Sequence, residues 1–271
     1  MKSITLYISA VICSVVLFNC GNDTIIYQPP VTETYYKVAS ADSGILKFEI
    51  WSATNDSMQT GYNKVGFKVF ESGGPKTSGY VKFEAKMYHT GAQDLHQTPT
   101  EPKYNYNPSL EMFTGYIIML MPSDSTGHWF GFYNYNDAMN VDSVNFDVGL
   151  NFPQKFKIFV DLNNNFSYLI TVLEPVYAVR GVNNFKFMMH ESADFLSFTQ
   201  VNGAQNYTRT WLDSLGHTSA GNINPVDGGT GYYEGKLNFD YGGIWRVYDS
   251  VYYNSNLITH NGTPWLVFVV E

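Results

Sequence analysis

Two twelve-residue segments 120 positions apart agree at five of their twelve positions. They are Gly61-Tyr-Asn63-Lys-Val-Gly-Phe67-Lys-Val-Phe-Glu71-Ser72 and Gly181-Val-Asn183-Asn-Phe-Lys-Phe187-Met-Met-His-Glu191-Ser192. Further landmarks keep nearly the same spacing: His96 and His217 are 121 apart, Trp129 and Trp245 are 116 apart. Ordered matches at a near-constant offset are the signature of a duplicated unit, so the chain is expected to fold as one architecture built twice, with a junction near residues 145–160.

The unit is made of strands. Short runs alternate apolar and polar residues between turn sequences, and helix signals are nearly absent. In the first half these are Ile45–Ile50, Val65–Phe70, Tyr80–Met87, Tyr116–Met121, Trp129–Tyr135 and Val144–Leu150. The second half has Phe156–Val160, Ser167–Leu173, Phe185–His190, Phe195–Val201, Tyr232–Phe239, Ile244–Tyr248 and Trp265–Val270. About seven strands per unit suit two packed antiparallel sheets. The predicted fold is therefore all-β, two tandem antiparallel β-sandwich domains over residues 39–150 and 151–271. Trp129 and Trp245 are expected in the two cores, because a buried indole covers a wide apolar area and needs one partner for its nitrogen.

Lys2 is followed by an apolar run ending in Leu17-Phe18-Asn19-Cys20-Gly21-Asn22. This resembles a bacterial lipoprotein signal, which implies a signal peptide at 1–19, acylation of Cys20 and a Pro29-Pro30 tether over 20–38. The implied location is the cell envelope, as an outer-membrane lipoprotein facing the periplasm or the cell surface, with lipid as the link to the membrane. Cleavage would also remove Cys13, leaving no cysteine in the folded body for a disulfide, a thiol nucleophile or a Cys-cluster zinc site. Without Lys2, 15 Lys and Arg face 24 Asp and Glu, a formal charge of −9. That balance disfavours nucleic acid as a partner. No His-Glu-x-x-His, Gly-x-Ser-x-Gly or phosphate-loop pattern is present, and Glu49, Glu71, Glu84, Glu111, Asp124 and Asp137 form no pair fixed by spacing, so no enzymatic activity is expected.

The sharpest chemical pattern lies in the first unit. Val81, Phe83, Ala85 and Met87 share one face of a strand, and His89 continues that face as the strand leaves the core. His96 follows in a loop, and His128 precedes Trp129. Thioether sulfur with imidazole nitrogen suits Cu(I), and added imidazoles suit Cu(II). Val81-x-Phe83-x-Ala85-x-Met87-x-His89, then His96-x-x-Pro99, then Gly127-His128-Trp129 resembles the YtkA-like family of exported bacterial copper-handling β-sandwiches. The resemblance covers roughly residues 45–135 and, more weakly, 165–250. It implies an immunoglobulin-like sandwich and copper as the candidate cofactor, with Met87, His89, His96 and His128 as ligands. The long segment between His96 and Met119 departs from the family pattern. In the second unit Asn206–Thr210 is read as the counterpart of Met87 and His89, with Gly243-Ile244-Trp245 replacing Gly127-His128-Trp129 and only His217 persisting.

A competing class is recognition of a glycan or an envelope protein. Tyr104-Asn-Tyr106-Asn-Pro108 and Tyr133-Asn-Tyr135-Asn136 place aromatic faces beside amides, and loops are where such specificity resides. Tyr104, Tyr106, Tyr133 and Tyr135 are the candidate recognition residues.

Overall fold

Alternation of side chains along an extended chain puts every second residue on one face, and this periodicity governs the burial of most strands. In the strand Tyr80–His89, residues Val81, Phe83, Ala85 and Met87 are buried while Glu84 and Tyr88 are exposed. The computed structural model describes residues 33–90, 95–137, 142–161, 164–259 and 266–271. The signal segment 1–19, Cys20 and the tether up to residue 32 lie outside the described residues, and Tyr36–Lys37–Val38, assigned above to the tether, already belong to the first strand.

Sixteen principal strands build the chain from Thr34 to Glu271, which is one compact unit. The first eight are β1 (Tyr36–Ser43), β2 (Leu46–Ser52), β3 (Gly61–Glu71), β4 (Tyr80–His89), β5 (Tyr104–Asn107), β6 (Met112–Met119), β7 (Gly127–Tyr135) and β8 (Asp142–Phe146). The second eight are β9 (Phe156–Val160), β10 (Ser167–Glu174), β11 (Gly181–Ser192), β12 (Gln205–Leu212), β13 (Ile223–Asp227), β14 (Tyr232–Phe239), β15 (Gly243–Tyr253) and β16 (Leu266–Val270). The chain is all-β, with no helix among the described residues.

Neighbours in the first lobe run β1-β2-β3-β6-β5-β4-β7-β8. In the second lobe they run β9-β10-β11-β14-β13 in one sheet and β12-β15-β16 in another. Adding eight to each label converts the first order into the second. The difference is one seam: β5 pairs with both β6 and β4, closing the first lobe into a continuous sheet, while β13 ladders with β14 alone. The segment after His96, read above as an insertion, contains that closing strand.

The continuous sheet folds over on itself. Phe48 of β2 stacks on Tyr133 of β7 with ring centroids 3.7 Å apart, although four strands separate them in the sheet. Phe67, Phe83, Tyr104, Trp129 and Phe146 fill the space between. The second lobe has its own core around Phe185, Phe187, Tyr233, Phe239, Trp245 and Phe268. Among the described residues every strand ladder stays within one lobe. The lobes meet through a third apolar cluster, in which Tyr116, Ile118 and Leu120 face Phe156, Leu169 and Met188. This explains why β11 is buried on both faces at Met188 and Met189: Met189 enters the second core and Met188 the interlobe cluster.

Candidate functional site

Strand pairing assembles three of the four proposed metal ligands. β4 carries Met87 into the core and then His89 on the same face. The chain returns as the short strand Leu95–Gln97, which pairs antiparallel to β4 and sets His96 directly opposite Met87. On the other side of β4, Trp129 lies opposite Met87 and Gly127 opposite His89. Residues directly opposite in an antiparallel pair project to one face, so Met87, His89 and His96 converge above Gly127.

Gly127 makes that convergence measurable. A Cβ at this position would lie 2.6 Å from Met87 Cε, 3.1 Å from His89 Cε1 and 3.3 Å from His89 Nδ1. The thioether end and the imidazole therefore share the space that a side chain would take. The rings of His89 and His96 stand at 83° with centroids 5.7 Å apart. Two imidazoles binding one ion through nitrogens about 2 Å from the metal have centroids roughly 5 to 6.5 Å apart, and this pair lies inside that window. Met87 is almost fully buried, while both histidines are half-buried.

His128 does not join them. It lies between inward-facing Gly127 and Trp129, is exposed, and pairs with exposed Tyr88. Period-two geometry sends its imidazole to the outer face. This corrects the expectation of a four-residue set.

Two residues that the sequence pattern does not assign to this site complete its surroundings. Asp124 caps the turn before β7, its Oδ1 accepting from the Thr126 and Gly127 amides at 2.7 Å each. Hydrogen bonds from the Thr126 hydroxyl and these amides hold its carboxyl below the usual range. Phe195 arrives from the second lobe, its ring edge-on to His96 at 6.5 Å. Its backbone occupies the left-handed region, φ 59°, which non-glycine residues adopt at a cost. The Gln97 amide donates to the Phe195 carbonyl at 2.9 Å, and Ser192 Oγ accepts from the Phe195 amide, so the ring is tied from both lobes. A signal for Asp124 was present in the sequence: Asp124 and Asp240 each stand five residues before the paired tryptophans Trp129 and Trp245.

Among the described residues no group of three or more His, Cys, Asp or Glu is placed to hold a metal ion. The set above Gly127 is two imidazoles and one thioether, which fits a soft or borderline ion and not calcium or magnesium.

The register also corrects the second-lobe correspondence. Trp245 pairs with Leu212 as Trp129 pairs with Met87, and Leu212 bridges to His217 as Met87 does to His96. The counterpart of Met87 is therefore Leu212, not a residue of Asn206–Thr210. His217 Nε2 lies 2.9 Å from Asp240 Oδ2, so this lobe keeps an imidazole and a carboxylate and lacks the sulfur.

The tyrosines proposed for recognition are structural. Tyr104 is fully buried and its hydroxyl donates to the Tyr116 carbonyl at 2.7 Å. Tyr133 is the core partner of Phe48, Tyr106 packs on Phe113, and Tyr135 Oη donates to the Ser78 carbonyl. Tyr104–Asn107 is a strand, which corrects its reading as a loop, and Tyr133 and Tyr135 lie in the strand Gly127–Tyr135.

No protein-family model and no curated protein matches this chain. Among solved structures it is similar to the Escherichia coli adhesin FdeC at 12% identity and TM-score 0.27, over 85% of this chain and 65% of that one. It is also similar to a Salmonella alpha-2-macroglobulin at 13% identity and TM-score 0.25, over 90% of this chain and 16% of that one. The chain thus spans less than two thirds of the length of either.

Proposed function

We propose that this protein is a non-catalytic, lipid-anchored envelope protein of two immunoglobulin-like modules that binds copper, as Cu(I), through Met87, His89 and His96. The observation that carries the reading is the shared space above Gly127, where a thioether and one imidazole meet and a second imidazole stands 5.7 Å away. One sulfur and two nitrogens match the ligand preference of Cu(I), and the Phe195 ring stands edge-on beside His96. The anchor and the envelope location rest on the lipoprotein-like segment ending at Cys20. Duplication rests on the repeated strand order, and its second copy has lost the sulfur.

The test is competition between the mature protein, residues 20–271, and a chromophoric Cu(I) chelator under reducing conditions. His89→Ala and His96→Ala are each expected to weaken binding at least tenfold, while His128→Ala leaves affinity unchanged. Equal affinity in all three variants would remove the proposed ligands.

A second reading, recognition of a glycan or protein, finds support away from the Tyr-Asn segments. Phe152 and Tyr177, 83% and 86% exposed, flank a cleft of about 390 Å³ with Asn151, Lys155 and Thr54. The Lys155 ammonium donates to the carbonyls of Pro175 and Val176 and steadies the segment that carries Tyr177. Solvent-facing aromatic rings beside amide and ammonium donors suit a sugar or a polar protein surface. Loss of cell-surface or glycan binding in Phe152→Ala with Tyr177→Ala, at unchanged Cu(I) affinity, would favour this class.

A further inference from the structure

Equivalent positions in the two lobes differ in one place by chemistry and not by size alone. In the first lobe Tyr133 pairs with Phe83 and Tyr135 with Val81 across β7 and β4; Phe83, Tyr133 and Val81 all belong to the apolar core. The same register in the second lobe pairs Asp249 with Thr208 and Val251 with Asn206 across β15 and β12. An aromatic pair and a valine have become a carboxylate, a hydroxyl and an amide.

These polar groups remain inside. Asp249 and Asn206 are buried, and Asp249 Oδ1 and Oδ2, Thr208 Oγ1 and Asn206 Oδ1 are all sealed from solvent without a hydrogen-bond partner. A hydroxyl directly opposite a carboxylate on an adjacent strand would close a hydrogen bond if the two could meet. Here a gap is left. Among the described residues no lysine, arginine or histidine forms an ion pair with Asp249. Burial pushes its carboxyl up to about 7; the Tyr207 amide, which lies nearby but outside hydrogen-bond geometry, offsets this only in part. A buried ionised carboxylate without a counter-charge is strongly unfavourable, and native interiors satisfy such groups with protein, water or an ion.

We propose that Asp249, Thr208 and Asn206 line a site for one hard cation, of the sodium or calcium kind, in the interior of the second lobe. Each of the three side chains supplies oxygen, the donor such ions require. Oxygens sharing a calcium-sized ion at about 2.3 to 2.6 Å stand roughly 3 to 5 Å from each other, which accounts for donors that face one another without bonding directly. The ion supplies the missing positive charge. The site is independent of the copper reading, since soft thioether and hard oxygen donors select different metals and the two sets lie in different lobes.

The experiment is thermal unfolding of the mature protein at pH 8 in calcium chloride, sodium chloride and choline chloride at matched ionic strength, for wild type and Asp249→Asn. Wild type is expected to melt about 3 to 6 °C higher in calcium or sodium than in choline; whichever of the two stabilises identifies the ion's charge. Asp249→Asn should melt at one temperature in all three salts. Identical wild-type melting in the three salts, or an equal salt gain in the variant, would overturn the site. Should the variant fail to fold, elemental analysis of dialysed wild type decides: one sodium or calcium per chain supports the proposal, and none of either contradicts it.

Discussion

Asn63 and Asn183 perform the same task in the two lobes. Asn63 Nδ2 donates to the carbonyls of Gln59 and Gly61 at 2.6 and 2.9 Å, and its Oδ1 accepts from the Gln59 amide at 2.9 Å. Asn183 Nδ2 donates to Val179 and Gly181 at 2.7 and 2.9 Å, and its Oδ1 accepts from the Val179 amide at 2.9 Å. Each clamp holds the chain as it enters the central strand, at a glycine with φ of 97° or 93° that a β-carbon would strain.

Asn63→Ala and Asn183→Ala should each destabilise by roughly 1 to 3 kcal/mol, because both remove three hydrogen bonds to largely part-buried backbone groups. Urea unfolding checks this. Similar costs at the two positions would fit a shared device, whereas a neutral effect at either would deny it.

Gly127 is needed for what stands above it. Gly127→Ala places a methyl group where Met87 and His89 already meet, so Cu(I) affinity is expected to fall at least tenfold while far-ultraviolet circular dichroism stays that of a β protein. Retained affinity would mean that the shared space is not the binding site.

Two buried ionisable groups give opposite pH dependences. Desolvation lowers His190 from 6.5 to about 4, with its Nδ1 unpartnered and its Nε2 3.5 Å from Tyr116 Oη across the lobe boundary. The unfolded chain takes that proton more readily, so this contribution is complete above pH 6.5 and is lost as pH falls toward 4, by roughly 3 kcal/mol in all. Asp249, raised from 3.8 to about 7, holds its proton better in the folded state; its contribution is complete below 3.8 and lost as pH rises through 7. In choline chloride, His190→Leu should leave stability that declines as pH rises from 4.5 to 7, and Asp249→Asn stability that increases. Urea titrations at several pH values measure both slopes, and unchanged slopes in both variants would refute the assignment.

Tyr104 separates packing from recognition. Tyr104→Ala should cost about 3 to 5 kcal/mol, as loss of a fully buried aromatic does, and Tyr104→Phe about 1 kcal/mol for the hydrogen bond to the Tyr116 carbonyl. A fully stable Tyr104→Ala protein would return this residue to the surface.

The parts of this fold legible in the sequence are those where burial follows period two. Val81 to His89 alternates cleanly, so the inward set Met87 and His89 was readable from the strand alone, and the spacing of Trp129 and Trp245 announced a common packing role. Four strands escaped. β1, Tyr36-Lys-Val-Ala-Ser-Ala-Asp-Ser43, is an edge strand of mostly small and polar residues. β5 is Tyr104-Asn-Tyr-Asn107, whose amides resemble a loop; β13 contains Pro225, which occurs in sheets mainly at edges and bulges; and β12 turns Asn206, Thr208 and Thr210 inward, so its core face is apolar only at Leu212. That same polar face hid the correspondence of Leu212 with Met87. His128 is next to Trp129 in sequence but not on its face of the strand, because adjacent residues on a strand point apart. The approach of Phe195 to His96 joins residues 99 positions apart in different lobes, which no local pattern encodes.

X-ray absorption at the copper edge of the Cu(I)-loaded mature protein addresses the central claim most directly. One sulfur and two nitrogen neighbours are predicted, with the sulfur contribution lost in Met87→Leu. A shell of nitrogen and oxygen alone, or a sulfur signal that persists in Met87→Leu, would contradict the site formed by Met87, His89 and His96.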